Sequence, residues 1–272
     1  MYQYPQRLFA TRLSDKEILN KMKFGLLGYP VAHSKSPALF AAAYKHSPHT
    51  YELLEFPDLL KGLEAAVKGG YSGLNITAPY KEEVLSFVHN ADSLTSEVAA
   101  ANLLLFSKGE IKAFNTDYEG VKSSVADFVT PGIKALVTGC GGAGRAAALA
   151  LRDLGAEVVI ANRDYKKASK YASRFGTAAC PIEHVPQFAK SARIIIDTIP
   201  AETDIYCNTS FDGKLIFEAN YRNPQLIDKC TAEGGKYLSG IVWLVNQAIP
   251  SFRLFTGENP DSEAMELLAS LW

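Results

Sequence analysis

A chain of 272 residues can form one large domain or two smaller ones. Hydrophobic residues make up 47% and charged residues 21%, which excludes a disordered chain. With a formal net charge of −1 there is no global positive field for nucleic acid or anionic lipid, so an anionic ligand must be held locally.

The first 22 residues mix charges throughout and lack the apolar core of a signal peptide. They read as a short helix after Ser14 or as a tail, with Met22 as an alternative start, ahead of an architecture that begins at Lys23. Strands are expected at Lys23–Gly28, Tyr51–Phe56 and Gly73–Thr77, with helices starting near Ser36 and Pro57. Leu103–Phe106 and Ile111–Asn115 form an expected hairpin, and Tyr118–Phe128 a helix that ends at Thr130-Pro131-Gly132. Beyond that punctuation the pattern becomes a regular βαβ series. It has strands at Ala135–Thr138, Val158–Ala161, Arg193–Asp197 and Leu215–Glu218, and a helix at Gly144–Leu154. Two helices, Ile241–Phe255 and Ser262–Trp272, close the chain, and Pro250 should kink or interrupt the first. No apolar run approaches the roughly 18 residues of a membrane span. Cys140, Cys180, Cys207 and Cys230 show no CxxC spacing, which suits reduced thiols in the cytoplasm rather than a disulfide or zinc framework.

Gly139-Cys140-Gly141-Gly142-Ala143-Gly144 satisfies G-x-G-x-x-G between a predicted strand and a predicted helix. Glycines permit the tight turn, the approach of a pyrophosphate and close helix–strand packing, while the helix N-terminus offers free N–H groups to phosphate. A Gly-rich turn of purely structural use is the bland alternative. The next strand ends Ala161-Asn162-Arg163-Asp164, where an NAD site usually carries an acidic residue for the ribose 2′-hydroxyl. Arg163 can instead pair with a 2′-phosphate, which favours NADP. Asp164 would repel that phosphate or bind a free hydroxyl, which keeps NAD as the alternative. The fold class is therefore α/β with two domains. Residues 1–118 form a substrate domain, 119–240 an inserted Rossmann-type dinucleotide-binding domain, and 241–272 helices that pack back on the first.

Four N-terminal segments go beyond generic fold signals: Gly28-Tyr29-Pro30-Val31-Ala32-His33-Ser34-Lys35-Ser36-Pro37, Asn75-Ile76-Thr77-Ala78-Pro79-Tyr80-Lys81, Ala101-Asn102, and Phe114-Asn115-Thr116-Asp117-Tyr118-Glu119-Gly120. Each lies at a loop or just after a strand, where functional side chains are presented. Hydroxyls, a carboxamide, a lysine and an aspartate suit a small polyhydroxylated acid. His33 is read as a loop-shaping residue, the other histidines have no ligand-like spacing, and no metal site is visible.

These segments resemble, in order and spacing, the G-x-P-x-x-H-S-x-S-P, N-x-T-x-P-x-K and N-T-D-x-x-G motifs of the shikimate dehydrogenase family. The likeness continues through the Gly-rich turn, Asn162-Arg163, Glu218-x-x-Tyr221, Gln247, Phe252 and Thr256-Gly257. The resemblance implies NADP-dependent reduction of 3-dehydroshikimate to shikimate, with Lys81 and Asp117 as the catalytic pair. It also implies that Ser34 and Ser36 bind the substrate carboxylate, that Thr77, Asn102 and Gln247 bind its hydroxyls, and that Tyr221 closes the site beside the nicotinamide. Gly139, Gly141, Gly142, Ala143, Gly144, Asn162 and Arg163 would hold the cofactor. Leu103, Asp164, Glu218 and Trp243 depart from the family pattern. A quinate/shikimate dehydrogenase using NAD or NADP, and a non-catalytic dinucleotide- or metabolite-binding module, are the competing readings. The expected state is a cytoplasmic monomer or homodimer with a small-molecule substrate and neither nucleic-acid nor membrane partners.

Overall fold

Runs of buried β-branched and leucine side chains set the strands, and the loops between them carry caps that fix where helices begin. The computed structural model describes residues 21–199 and 205–272; the helix expected after Ser14 falls outside them. The described residues divide into two compact units, one formed by 21–116 with 248–271 and the other by 117–199 with 205–247. The chain passes between the units at Thr116/Asp117 and Gln247/Ala248, against boundaries expected at 118/119 and 240/241.

In the first unit, β1 (Lys23–Gly28), β2 (Thr50–Glu55) and β3 (Gly73–Ile76) run parallel. β5 (Leu103–Ser107) and β6 (Glu110–Phe114) form the expected hairpin, and the two-residue β4 (Asn90–Ala91) adds the far edge. The sheet order is β2-β1-β3-β5-β6-β4. Between these strands lie α1 (Ser36–Ala43), α2 (Leu59–Lys68) and the short α3 (Ser93–Val98). Asp58 caps α2 by accepting from Lys61 N at 2.8 Å, and Leu59, Leu63 and Ala66 form its buried stripe.

The second unit holds α4 (Asp117–Val125), then β7 (Lys134–Thr138), α5 (Gly142–Asp153), β8 (Glu157–Asn162), α6 (Tyr165–Phe175) and β9 (Ala178–Pro181). α7 (Val185–Ser191), β10 (Ile194–Asp197), β11 (Leu215–Glu218), α8 (Ile227–Ala232) and β12 (Lys236–Ser239) follow. All six strands are parallel in the order β12-β11-β10-β7-β8-β9, the doubly wound arrangement whose order reverses between β7 and β10. The edge strands β9 and β12 are short and only partly buried, so periodicity gave no sign of them.

α9 (Gly240–Thr256) begins in the second unit and ends in the first; α10 (Ser262–Ala269) follows. Pro250 lies inside α9 and does not end it, contrary to the interruption considered above, because one missing donor is tolerated in a helix held by its side chains. Phe252 and Phe255, one turn apart, anchor its second half. Phe255 stacks on Phe24 with centroids 4.6 Å apart, and Phe252 meets Phe40 edge-on at 5.0 Å.

One polar cluster sits inside the second unit. Asp197, at the end of β10, accepts from Thr138 Oγ1 and from Tyr206 OH (2.8 Å), beside Glu218 on the next strand. Burial pushes its carboxyl up to about 6, and the hydrogen bonds only partly offset that. The folded state therefore binds the proton more tightly than the unfolded chain. The resulting stabilisation is complete below about pH 4 and is lost as pH rises through about 6. Denaturation curves of wild type and Asp197→Asn should diverge across that window, wild type losing about 2–3 kcal/mol relative to the variant. Parallel curves would show that Asp197 does not titrate there.

Candidate active site

The substrate-type residues of the first unit sit on loops that neighbouring strands pin in place. Glu55, at the end of β2, accepts from Val31 N at 2.7 Å and Ala32 N at 2.8 Å, bonds that hold its carboxyl below the usual range. They shape the turn that leads into Ser34 and Ser36. Ser34 Oγ donates to Ser36 Oγ at 3.1 Å and accepts from Ser36 N at 3.2 Å, so the two predicted serines are adjacent. Thr77 follows β3, donating its N–H to Leu27 O at 3.0 Å and accepting from Tyr80 N at 2.9 Å. The same turn carries Lys81, whose carbonyl accepts from Ala101 N at 2.8 Å, one residue before Asn102.

Asn102 is buried in a network that sequence reasoning did not anticipate. Its Oδ1 accepts from Thr116 N at 2.7 Å, and its Nδ2 donates to Thr116 Oγ1 at 2.9 Å. Thr116 Oγ1 lies 2.7 Å from Ser251 Oγ, and Asn75 Nδ2 donates to both Ser251 Oγ and Asn102 O at 3.1 Å. Tyr51 OH donates to Asn75 Oδ1 at 2.8 Å; burial pushes this phenol far above its ordinary value and keeps it a donor. Asn75 belonged to a quoted motif, but nothing in the sequence linked Tyr51 or Ser251 to it.

The cofactor-type residues belong to the second unit. Gly139 takes φ +98°, and a Cβ there would lie 2.4 Å from Thr198 Oγ1. At Gly144 a Cβ would stand 2.1 Å from Gly139 O, so neither position admits a side chain. Gly141 differs: it is exposed, and a Cβ there would meet nothing within 4 Å. It is the N-cap of α5 and supplies no side-chain hydrogen bond to that helix terminus. Asn162 Oδ1 accepts from Cys140 N at 3.2 Å, which joins the end of β8 to the glycine turn. Arg163 is exposed beside it. The Asp164 carboxylate is engaged within its own helix, where Oδ1 accepts from Lys167 N at 3.0 Å and caps α6. Inside α5, fully buried Arg145 stacks its guanidinium 4.2 Å from the Tyr171 ring centroid.

Tyr221 lies half-buried on the loop after β11. Glu218 organises that loop by accepting from Gln225 N (2.7 Å), Leu226 N (3.1 Å) and Tyr237 OH (2.8 Å). A carboxylate that makes three such bonds explains why position 218 is acidic. Asp117 opens α4 and is buried, where the positive helix terminus suits a carboxylate; its Oδ1 accepts from Trp243 Nε1 at 3.2 Å. Gln247 Nε2 donates to Leu244 O at 2.9 Å, and its backbone lies against Gly120. The predicted residues thus form two sets. Ser34, Ser36, Thr77, Lys81 and Asn102 belong to the first unit, and Asp117, the glycine turn, Asn162, Arg163, Tyr221 and Gln247 to the second. Among the described residues, no group of three or more His, Cys, Asp or Glu side chains could hold a metal ion.

Residues 26–104 match the family described as "Shikimate dehydrogenase substrate binding domain", and residues 124–228 that described as "Shikimate / quinate 5-dehydrogenase". The chain is 34% identical to the "Shikimate dehydrogenase (NADP(+))" of Ignicoccus hospitalis, over 88% of this chain and 95% of that protein. The crystal structure of the Thermus thermophilus shikimate 5-dehydrogenase in complex with NADP(H) and shikimate is 32% identical. It aligns over 92% of this chain and 99% of that one, with a TM-score of 0.78. The complex of the Thermus enzyme with shikimate gives a TM-score of 0.79 at the same identity, over 92% and 98% of the two chains.

Removing the cap of α6 tests the role of Asp164. Asp164→Ala should cost about 1 kcal/mol of stability in a urea titration. A variant as stable as wild type would dismiss the capping role.

Proposed function

Because the chain belongs to the shikimate dehydrogenase family, we propose that it interconverts 3-dehydroshikimate and shikimate with NADP. The single observation that carries the reading is full-length similarity to an NADP-dependent relative, in a chain that keeps both Lys81 and Asp117 in their motifs. The first unit takes the substrate and the second the dinucleotide.

The residues of the second unit fit that dinucleotide. The uncapped N-terminus of α5 and the open side of Gly141 suit a pyrophosphate, held by Gly139, Gly141, Gly142, Ala143 and Gly144. Asn162 supports the turn, and Arg163 pairs with the 2′-phosphate through its planar fork. Asp164 spends its carboxylate oxygen on the Lys167 amide, which favours NADP over NAD. When bound, the reduced nicotinamide supplies the hydride that the C3 carbonyl accepts.

The chain's own residues orient the substrate and manage charge. Ser34 and Ser36 receive the substrate carboxylate as hydroxyl donors. Thr77, Asn102 and Gln247 bind the ring hydroxyls, and the Asn102 amide is oriented for this by its two bonds to Thr116. Tyr221 closes the site beside the nicotinamide. As negative charge grows on the C3 oxygen, the Lys81 ammonium stabilises it and delivers the proton; oxidation reverses the transfer. Asp117 binds a substrate hydroxyl. None of the four cysteines is in a disulfide, which fits a reducing cytoplasm, and no helix among the described residues is long and apolar enough to cross a membrane.

A four-way assay of shikimate or quinate with NADP or NAD should show the fastest reduction of NADP with shikimate. Absence of turnover in every arm would dismiss dehydrogenase activity, and faster turnover of quinate would reassign the substrate. Lys81→Ala should lower kcat by about 10²–10⁴-fold with NADP binding little changed. Arg163→Ala should raise the KM for NADP about 10–100-fold while leaving that for NAD nearly unaltered; equal effects on both cofactors would remove the 2′-phosphate role.

A further inference from the structure

Three contacts join α4 to the first half of α9, and two of them involve residues assigned to the reaction. At the centre, a Cβ on Gly120 would lie 2.8 Å from Gln247 Cβ and 2.9 Å from Gln247 N, so the helices meet there backbone to backbone. One turn further along α4, Ser124 Oγ accepts from Asn246 Nδ2 at 2.7 Å and donates to Gly120 O at 2.6 Å. One turn earlier, Trp243 Nε1 donates to Asp117 Oδ1 at 3.2 Å. The indole cannot swing away freely. Trp243 is 5% exposed, and its ring lies 5.4 Å from that of Phe217, a fully buried residue of β11.

We infer that Trp243 is a positioning residue for the Asp117 carboxylate, an inference that rests on the reading of Asp117 as a catalytic residue. The indole N–H engages Oδ1 and so fixes the carboxylate plane about the Cβ–Cγ bond. An indole is a donor only and carries no charge. It therefore orients Asp117 by a hydrogen bond without adding a charge. The Gly120 crossing ties this geometry to Gln247, so one rigid helix pair presents a carboxylate and a carboxamide in fixed relation. Packing uses the bicyclic ring; the N–H is the part that packing does not need.

A double-mutant cycle on the full-length enzyme tests this. Asp117→Asn comes first: wild-type turnover in that variant would overturn the catalytic reading and the positioning role with it. If Asp117→Asn is strongly impaired, Trp243→Phe in the wild-type background should lower kcat about 10–100-fold, with the KM for NADP unchanged. In the Asp117→Asn background the same change should have almost no further effect, because its route to the reaction is already cut. Full activity of Trp243→Phe, or an equal loss in both backgrounds, would overturn the positioning role while leaving Asp117 catalytic. Where Trp243→Phe folds poorly, 3-benzothienylalanine at position 243 keeps the bicyclic ring and replaces N–H by sulfur; it should show the same loss, and undiminished turnover would overturn the proposal. The chain has two tryptophans. With Trp272→Phe to assign it, the Trp243 indole resonance should move on Asp117→Asn substitution, and an unmoved resonance would count against the bond.

Discussion

No side chain fits between α4 and α9 at Gly120, and that close approach sets how the second unit holds Asp117 and Gln247. Asp117 and Gln247 are far apart in sequence. A glycine at the crossing lets the two backbones touch, which leaves little freedom for either helix to slide. The motif that contains Asp117 thus carries its own reason for ending in glycine: Asp117 and the glycine that permits the close crossing lie one helical turn apart. Ser124 and Asn246 close the contact on one side and Trp243 on the other.

The first unit obeys a different constraint. Asn75, Asn102, Thr116 and Ser251 are nearly inaccessible to solvent, and burying such groups is costly unless each finds a partner. They satisfy one another, with Tyr51 adding a donor at the edge. Ser251 comes from the second half of α9, so the C-terminal segment completes the network as well as covering the sheet with Phe252 and Phe255. Pro250 sits directly before Ser251 and leaves the helix intact, since the groups around it are held by side-chain contacts on both flanks.

In the cofactor-type half, the same few residues divide their labour by geometry. The strand order reverses between β7 and β10, and the glycine turn leaves β7 at that reversal. Gly139 and Gly144 are glycine because the protein itself leaves no room, whereas Gly141, the N-cap of α5, faces open space. Asp164 carried the doubt about cofactor choice, and its carboxylate turns out to cap α6. Glu218, which departs from the family pattern, reaches two loop amides and a tyrosine hydroxyl to hold the segment that carries Tyr221.

The sequence by itself determined the elements whose signals are local. β1 and β11 fall at their expected residues, the 103–114 hairpin follows its turn, and the glycine turn joins strand to helix. Hydrophobic period and glycine placement act over a few residues, so these features were legible, and motif order was enough to indicate the family. The short edge strands β9 and β12 were not, because partly buried four-residue runs carry almost no periodicity. Only the tertiary structure decided which polar groups meet. That Tyr51 serves Asn75, that Ser251 serves Thr116 and that Trp243 serves Asp117 depends on helix crossings and strand register across distant segments. A hydrogen bond is directional and needs its partner within about 3 Å, and no spacing along one chain specifies that.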